Sequence, residues 1–308
     1  MILKEQENRK VYSDGETTEQ LMLDIACQYP EDAAEEYIAD NSSYTLNNTF
    51  SSVRKNILNW YPFREGAEIL EVGAGMGALT GLLCDKAKHV TAIEMSEARA
   101  EVIKTRYKKR TNLEIISEDI NHWNTEKRYD YVVFIGVLEY AAIFSENPYP
   151  YDEFLRNVRH LLKDDGILLF AIENRFGLKY WLGSAEDHLQ EPFVGIEGYP
   201  VGKTARTFSK NELATILNRV GLKNHRFYGV LPDYKFPELI FAEEYAPDYM
   251  NLKKVSFTYP RNSMLYADEK DLYKDIISND VFPFFANSFL VEASVASLPE
   301  RHVVHVSA

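Results

Sequence analysis

The sequence predicts an α/β protein built on a seven-stranded mixed sheet, five parallel strands then an antiparallel pair, with helices on both faces. Three observations carry that expectation. From residue 67 onward, short strands that are apolar throughout alternate with helical periods, the pattern of a parallel sheet buried on both sides. A glycine-rich turn closes the first of these strands and opens a helix. Later in the chain, two short runs flank a proline-bounded turn, as an antiparallel pair does. With 308 residues, 45% apolar and 26% charged, the chain is long enough to bury a sizeable core.

Taken in order, residues 1–60 are polar and acidic and read as a helical N-terminal cap. A helix is expected over 18–37, interrupted at Tyr29-Pro30, because proline lacks the amide a helix interior needs. Residues 41–52, rich in Asn, Ser and Thr, read as a loop, followed by a short helix ending near Asn59-Trp60-Tyr61-Pro62. The core, 61–245, has strands over 68–72, 89–94, 113–117, 129–136 and 167–172, with helices over 78–86, 97–110 and 151–162. Lys163-Asp164-Asp165-Gly166 ends the last of those helices. Regular spacing then breaks over 174–206, an aromatic and Gly-rich insert of a length that usually marks a lid or binding segment. Ser209-Lys210-Asn211-Glu212 has the spacing of a capping box, and its helix runs to Val220 and stops at Gly221. Runs 224–230 and 238–243 form the antiparallel pair. Residues 246–308 are a C-terminal extension, with strands over 254–259 and 288–293, a helix over 269–277 and a short apolar tail.

Composition limits the function classes. Lys and Arg number 34 against 47 Asp and Glu, a formal net charge of −13. A duplex-binding face needs clustered cations, so no nucleic-acid partner is expected. Two cysteines make no disulfide framework. The N-terminal segment has no signal-peptide pattern, and no run approaches the ~20 apolar residues of a membrane span. The protein is expected to be soluble and cytoplasmic. The 20 Tyr and 17 Phe suit a cleft for a polar ligand, against the plainer reading of core and surface residues.

The sharpest signal is Ile69-Leu70-Glu71-Val72-Gly73-Ala74-Gly75-Met76-Gly77. Its glycines permit positive φ and close backbone approach to a ligand. A dinucleotide fingerprint would place a pyrophosphate here, yet Glu71 would repel one and suits an ammonium group instead. Glu94 ends the second strand, where a carboxylate accepts from ribose hydroxyls. Glu118-Asp119 end the third, within reach of an exocyclic adenine amine. Three acids at successive strand ends fit S-adenosylmethionine better than a nicotinamide dinucleotide.

On these residues, 66–172 resemble the class I S-adenosylmethionine-dependent methyltransferases, whose first motif is this acid-x-Gly-x-Gly-x-Gly turn. The resemblance implies a Rossmann-like form of the sheet. It places Glu71, Gly73, Gly75 and Gly77 around the methionine moiety, Glu94 with Met95 at the ribose, and Asp119 with Ile120 at the adenine. It also sets Gly136, within Phe134-Ile135-Gly136-Val137-Leu138-Glu139-Tyr140, below the sulfonium. A narrower likeness covers 173–188 and 207–241. There Glu-Asn-Arg-Phe-Gly-Leu-Lys-Tyr-Trp, Glu-Asp-His and Pro-Asp-Tyr-Lys-Phe-Pro are similar to methyltransferases of bacterial surface-polysaccharide gene clusters. It implies a glycan acceptor and association with glycosyltransferases.

Methyl transfer to an alcohol needs a base or a metal. His188 is the candidate base, with Asp187 or another acid orienting it, and Glu139 is the substitute. Arg175 is either an anion-binding group or a structural salt bridge. Asp187, His188 and Glu186 also offer metal ligands, but their spacing is not diagnostic and no metal is expected. His302 and His305 read as an ordinary tail pair. The preferred activity is O-methylation of a sugar hydroxyl. The alternatives are a small-molecule O- or N-methyltransferase and a non-catalytic cofactor-binding module, with an RNA methyltransferase disfavoured by the charge.

Overall fold

The computed structural model describes residues 2–6, 9–31, 33–200, 202–245, 247–257, 264–301 and 305–307. The chain divides into two compact units, Met1–Ile135 with Asn157–Leu168, and Gly136–Arg156 with Leu169–Ala308.

The first unit begins with a hairpin of β1 (Ile2–Gln6) and β2 (Arg9–Ser13), where the sequence reading expected only helix. The two runs are two residues apart in sequence, a hairpin spacing, but their high polarity hides the strand pattern. Helices α1 (Glu16–Gln28) and α2 (Glu35–Asp40) flank the expected break at Tyr29-Pro30. The loop expected over 41–52 is instead mostly helix α3 (Tyr44–Phe50). Ser43 caps it, its Oγ accepting the Leu46 N–H at 3.2 Å. Leu46 and Phe50 bury with Met22, Ile25 and Ile38 against Met76 and Val102. That burial overrides the weak helix propensity of Asn and Thr. A 3₁₀ turn, Ser52–Lys55, and α4 (Asn56–Asn59) lead to the sheet.

The sheet of this unit contains β3 (Glu68–Val72), β4 (His89–Ile93), β5 (Leu113–Ile116) and β6 (Tyr129–Ile135). Their order is β6-β3-β4-β5, every pair parallel, as the Rossmann-like expectation required. Helices α5 (Thr80–Lys86) and α6 (Glu97–Arg106) connect them and are shorter than expected.

The chain continues through α7 (Ala141–Phe144), α8 (Pro150–His160) and β7 (Leu162–Glu173). Strand β7 includes Lys163-Asp164-Asp165-Gly166, which the sequence reading took as a helix stop alone. Ion pairs hold this polar stretch extended: Lys163 Nζ lies 2.9 Å from Asp130 Oδ2, and Arg64 Nη1 lies 2.7 Å from Asp165 Oδ2.

The second unit adds α9 (Leu178–Trp181), α10 (Lys210–Arg219), β8 (Asn224–Leu231), β9 (Leu239–Ala242), α11 (Tyr249–Leu252), α12 (Glu269–Ser278), α13 (Phe282–Phe285), β10 (Ser288–Ser294) and β11 (His305–Ser307). The capping box of α10 is present, and Gly221 follows at φ 83°. Strand β8 pairs antiparallel with both β9 and β10, and β9 with β11. The strand count therefore exceeds the seven expected, because β10 and β11 come from 246–308. The strand expected over 288–293 is β10, buried throughout, but its partner β8 is remote in sequence, so its pairing is invisible to periodicity. Residues 254–257 are turn and irregular backbone, not strand, with Val255 buried in an apolar cluster around Leu252 and Phe282. The remainder of that expected strand lies outside the described residues, as does His302. Among the described residues no helix is long and apolar enough to cross a membrane.

Candidate active site

In the first unit, β3 runs into the turn at Gly73, Gly75 and Gly77, with φ of 66°, 61° and 83°. Gly73 and Ala74 donate their N–H groups to Ile93 O at 2.9 and 3.1 Å, pinning the turn to β4. Glu94, 3% exposed, accepts the Gly75 N–H at 2.8 Å and the Ser96 N–H at 3.0 Å. A carboxylate has about four lone-pair sites, so acceptor capacity remains. Met95 beside it is half-buried. Helix α6 supports the turn: Tyr107 Oη donates to Gly77 O at 2.8 Å. Buried Arg106 donates to Met76 O at 3.2 Å and Thr49 O at 2.8 Å. Glu71 is buried and accepts from Thr80 Oγ1 at 2.6 Å. Burial pushes its carboxyl up to about 8, against the pull of that hydrogen bond. Beyond β5, Asp119 accepts the Asn121 N–H at 2.9 Å, and half-buried Ile120 follows it. Glu71, the glycines, Glu94, Met95, Asp119 and Ile120 therefore all belong to one unit.

Gly136, Glu139, Asp187 and His188 belong to the other. Gly136 has φ 73°, and a Cβ there would meet Tyr234 Oη at 2.5 Å. Glu139, 1% exposed, sits on the 3₁₀ turn Leu138–Tyr140, and Glu173, fully buried, ends β7. Glu186 holds the His188 ring, with Nδ1 at 3.0 Å, and accepts the His188 and Leu189 N–H groups at 2.7 Å. His188 Nε2 lies 3.9 Å from Glu139 Oε1. Burial lowers the imidazole, but Glu186, Glu173 and Glu139 outweigh it and hold the ring at about 9. The ring is therefore charged at neutral pH. Burial, reinforced by Glu173, raises Glu139 to about 7.

Asp187 does not orient His188. It pairs with Lys179 Nζ at 3.0 Å and accepts from Tyr180 Oη. Lys179 also reaches Asp233 at 2.9 Å. Lys235 pairs with Glu173 and lies 3.5 Å from Asp233 and 3.7 Å from Asp187. Burial would raise Asp187, but the Lys179 and Lys235 ammoniums override it and keep the carboxylate well below its usual range.

Arg175 is structural, donating to Glu212 at 2.8 Å and Gly195 O at 3.0 Å. The insert tyrosines Tyr180 and Tyr199 donate to acids, Tyr180 to Asp187 and Tyr199 Oη to Glu186 at 3.0 Å, and Tyr234 Oη, outside the insert, donates to Glu139 at 3.4 Å. Trp181 and Phe193 are the exposed aromatics of the insert. Sequence reasoning gave no individual role to Lys179, Asp233, Lys235 or Arg106. The available signal was Asp233-Tyr234-Lys235 set between Pro232 and Pro237, three polar residues in a stiff turn. Donor atoms of Glu139, Glu173 and His188 lie within 4.8 Å of one another, as do those of Glu173, Asp187 and Asp233. The metal ligands weighed from sequence, Asp187, His188 and Glu186, are not either of these sets.

Residues 40–155, which include the glycine turn, match the family model described as ribosomal RNA adenine dimethylase. The ribosomal RNA small subunit methyltransferase A of Syntrophus aciditrophicus is 32% identical over 85 residues, 28% of this chain and 28% of its own length. The ubiquinone biosynthesis O-methyltransferase of Rickettsia canadensis is 27% identical over 188 residues, 59% of this chain and 73% of its own. The chain spans about a third of the length of the first curated relatives it matches. A solved S-adenosylmethionine-dependent methyltransferase of Thermotoga maritima, described as a possible histamine N-methyltransferase, aligns with TM-score 0.48 and 15% identity, covering 85% of this chain and 98% of that one. The polysaccharide-cluster likeness has no counterpart among these proteins.

Proposed function

We propose that this chain is an S-adenosylmethionine-dependent methyltransferase acting on a hydroxyl acceptor, with the cofactor held at the glycine turn of the first unit. The observation that carries the cofactor assignment is the glycine turn held in left-handed geometry between buried Glu71 and Glu94. The methyltransferase matches over the same segment support it. Glu71 takes the methionine ammonium, Gly73, Gly75 and Gly77 admit the methionine moiety, Glu94 and Met95 flank the ribose, and Asp119 and Ile120 hold the adenine.

In the second unit, Glu139 has an oxygen, Oε2, with no hydrogen-bond partner among the described residues. That makes Glu139 the acceptor of the hydroxyl proton, with charged His188 stabilising the carboxylate and Asp187 fixing Lys179 and Lys235. We favour a sugar hydroxyl in a polysaccharide or nucleotide-sugar pathway, with glycosyltransferases as partners, on the likeness over 173–188 and 207–241. A second reading, RNA adenine methylation, is favoured by the family match over 40–155 and opposed by the −13 charge.

The test incubates the protein with methyl-labelled cofactor and three acceptor panels: glycans and nucleotide sugars, small phenols and amines, and unmodified ribosomal RNA. Label on the glycan panel is the expected result. Label confined to another panel removes the sugar assignment, and absence of cofactor binding by calorimetry removes the enzyme assignment.

A further inference from the structure

We propose that Glu139, Glu173 and His188 form a binding site for one divalent first-row transition-metal ion. Glu139, Glu173 and His188 are remote in sequence, and their donor atoms converge within 4.8 Å in a buried part of the second unit. A cation with ligand bonds of ~2.0–2.2 Å needs donors no farther apart than ~4.4 Å. His188 Nε2 and Glu139 Oε1, at 3.9 Å, already meet that limit.

Two independent features point to a ligand here. Glu139 Oε2 and Glu173 Oε2 are both buried without a hydrogen-bond partner among the described residues. A carboxylate oxygen in that condition carries a full desolvation cost that a cation removes. The second feature is the ring's orientation. Glu186 engages Nδ1 at 3.0 Å and leaves Nε2 directed at Glu139, the carboxylate–histidine arrangement that fixes the tautomer of a ligating imidazole.

Formal charge agrees. Three carboxylates (Glu173, Asp187 and Asp233) pair with the ammoniums of Lys179 and Lys235, while Glu139 and Glu186 lie against the His188 ring. The other acidic set, Glu173 with Asp187 and Asp233, already has Lys179 and Lys235 among its oxygens and needs no ion. A mixed imidazole and carboxylate set suits Mn²⁺ or Zn²⁺ better than Mg²⁺. If the methyl-transfer reading holds, on which this role rests, the ion would acidify the acceptor hydroxyl and its proton would pass to the Glu139 oxygen that does not hold the ion.

The test strips the whole protein with a chelator and titrates it with Mn²⁺, Zn²⁺ and Mg²⁺ in the absence of cofactor and acceptor, so failure of the methyl-transfer reading leaves the result untouched. We expect one equivalent of Mn²⁺ bound, with pulsed electron paramagnetic resonance showing ¹⁴N coupling from one imidazole. Glu173→Gln and His188→Gln should abolish binding, and Glu186→Gln should weaken it by ~10–100-fold. No stoichiometric Mn²⁺ or Zn²⁺, bound Mn²⁺ without ¹⁴N coupling, or unchanged affinity in folded His188→Gln would overturn the assignment. The ¹⁴N signature is read on the unaltered protein and stands even where a variant fails to fold.

Discussion

At Gly77, φ of 83° and the Tyr107 ring leave no room for a side chain: an added Cβ would lie 2.8 Å from Tyr107 Cε2. Gly77→Ala should cost about 1–3 kcal/mol in urea unfolding, since it combines left-handed strain with overpacking. The neighbouring Glu71 gives a pH dependence. Its carboxyl, raised by burial to about 8, is protonated in the free protein near neutrality. A cofactor ammonium favours the carboxylate, so binding releases a proton and affinity should rise from pH 5 to 7, up to tenfold per unit. Calorimetry in buffers of differing ionisation enthalpy reads that proton directly. A flat profile would remove Glu71 from the ammonium.

Among the elements, α10 is the clearest case of local sequence deciding structure. Ser209 Oγ accepts the Glu212 N–H at 3.3 Å and Glu212 Oε2 accepts the Ser209 N–H at 2.8 Å. Ser209→Ala should lower stability by about 1 kcal/mol, read by denaturant melting. This helix, the glycine turn and the parallel strands were legible because each is set by residues adjacent in sequence. Helix α3 was not, since its Asn- and Thr-rich run becomes helical only when Leu46 and Phe50 are buried. Strand β10 was legible over 288–293 by its apolar run, but its pairing was not, because its partner β8 lies far back in the chain. The acidic cluster was half legible. His188, Asp187 and Glu139 were singled out by type, but Glu186 as the ring's partner and the Lys179 and Lys235 pairings arise only from folding distant segments together.

For the whole molecule, buried acids of opposite shift set the pH range of stability. Glu269 is 2% exposed, and burial raises it to about 7 although Asn287 and Tyr273 donate to it at 2.7 and 2.9 Å. Its folded value lies above the unfolded one, so the stability it confers is complete below about pH 4.5 and is lost as pH rises through 7. Asp152 has the opposite sign. Hydrogen bonds from Arg219 at 2.8 Å lower it, so its contribution disappears as pH falls below the ordinary Asp range. Glu269→Gln keeps both acceptor bonds without the buried charge. It should match the parent near pH 5 and exceed it at pH 8 by up to about 3 kcal/mol, measured by urea midpoints across that range.

Glu94 ties one amide of the glycine turn to another at the start of α6 through protein contacts alone. A cradle braced in this way is preorganised. Association with the cofactor then orders little backbone, and its heat-capacity change reflects the apolar surface covered rather than coupled folding.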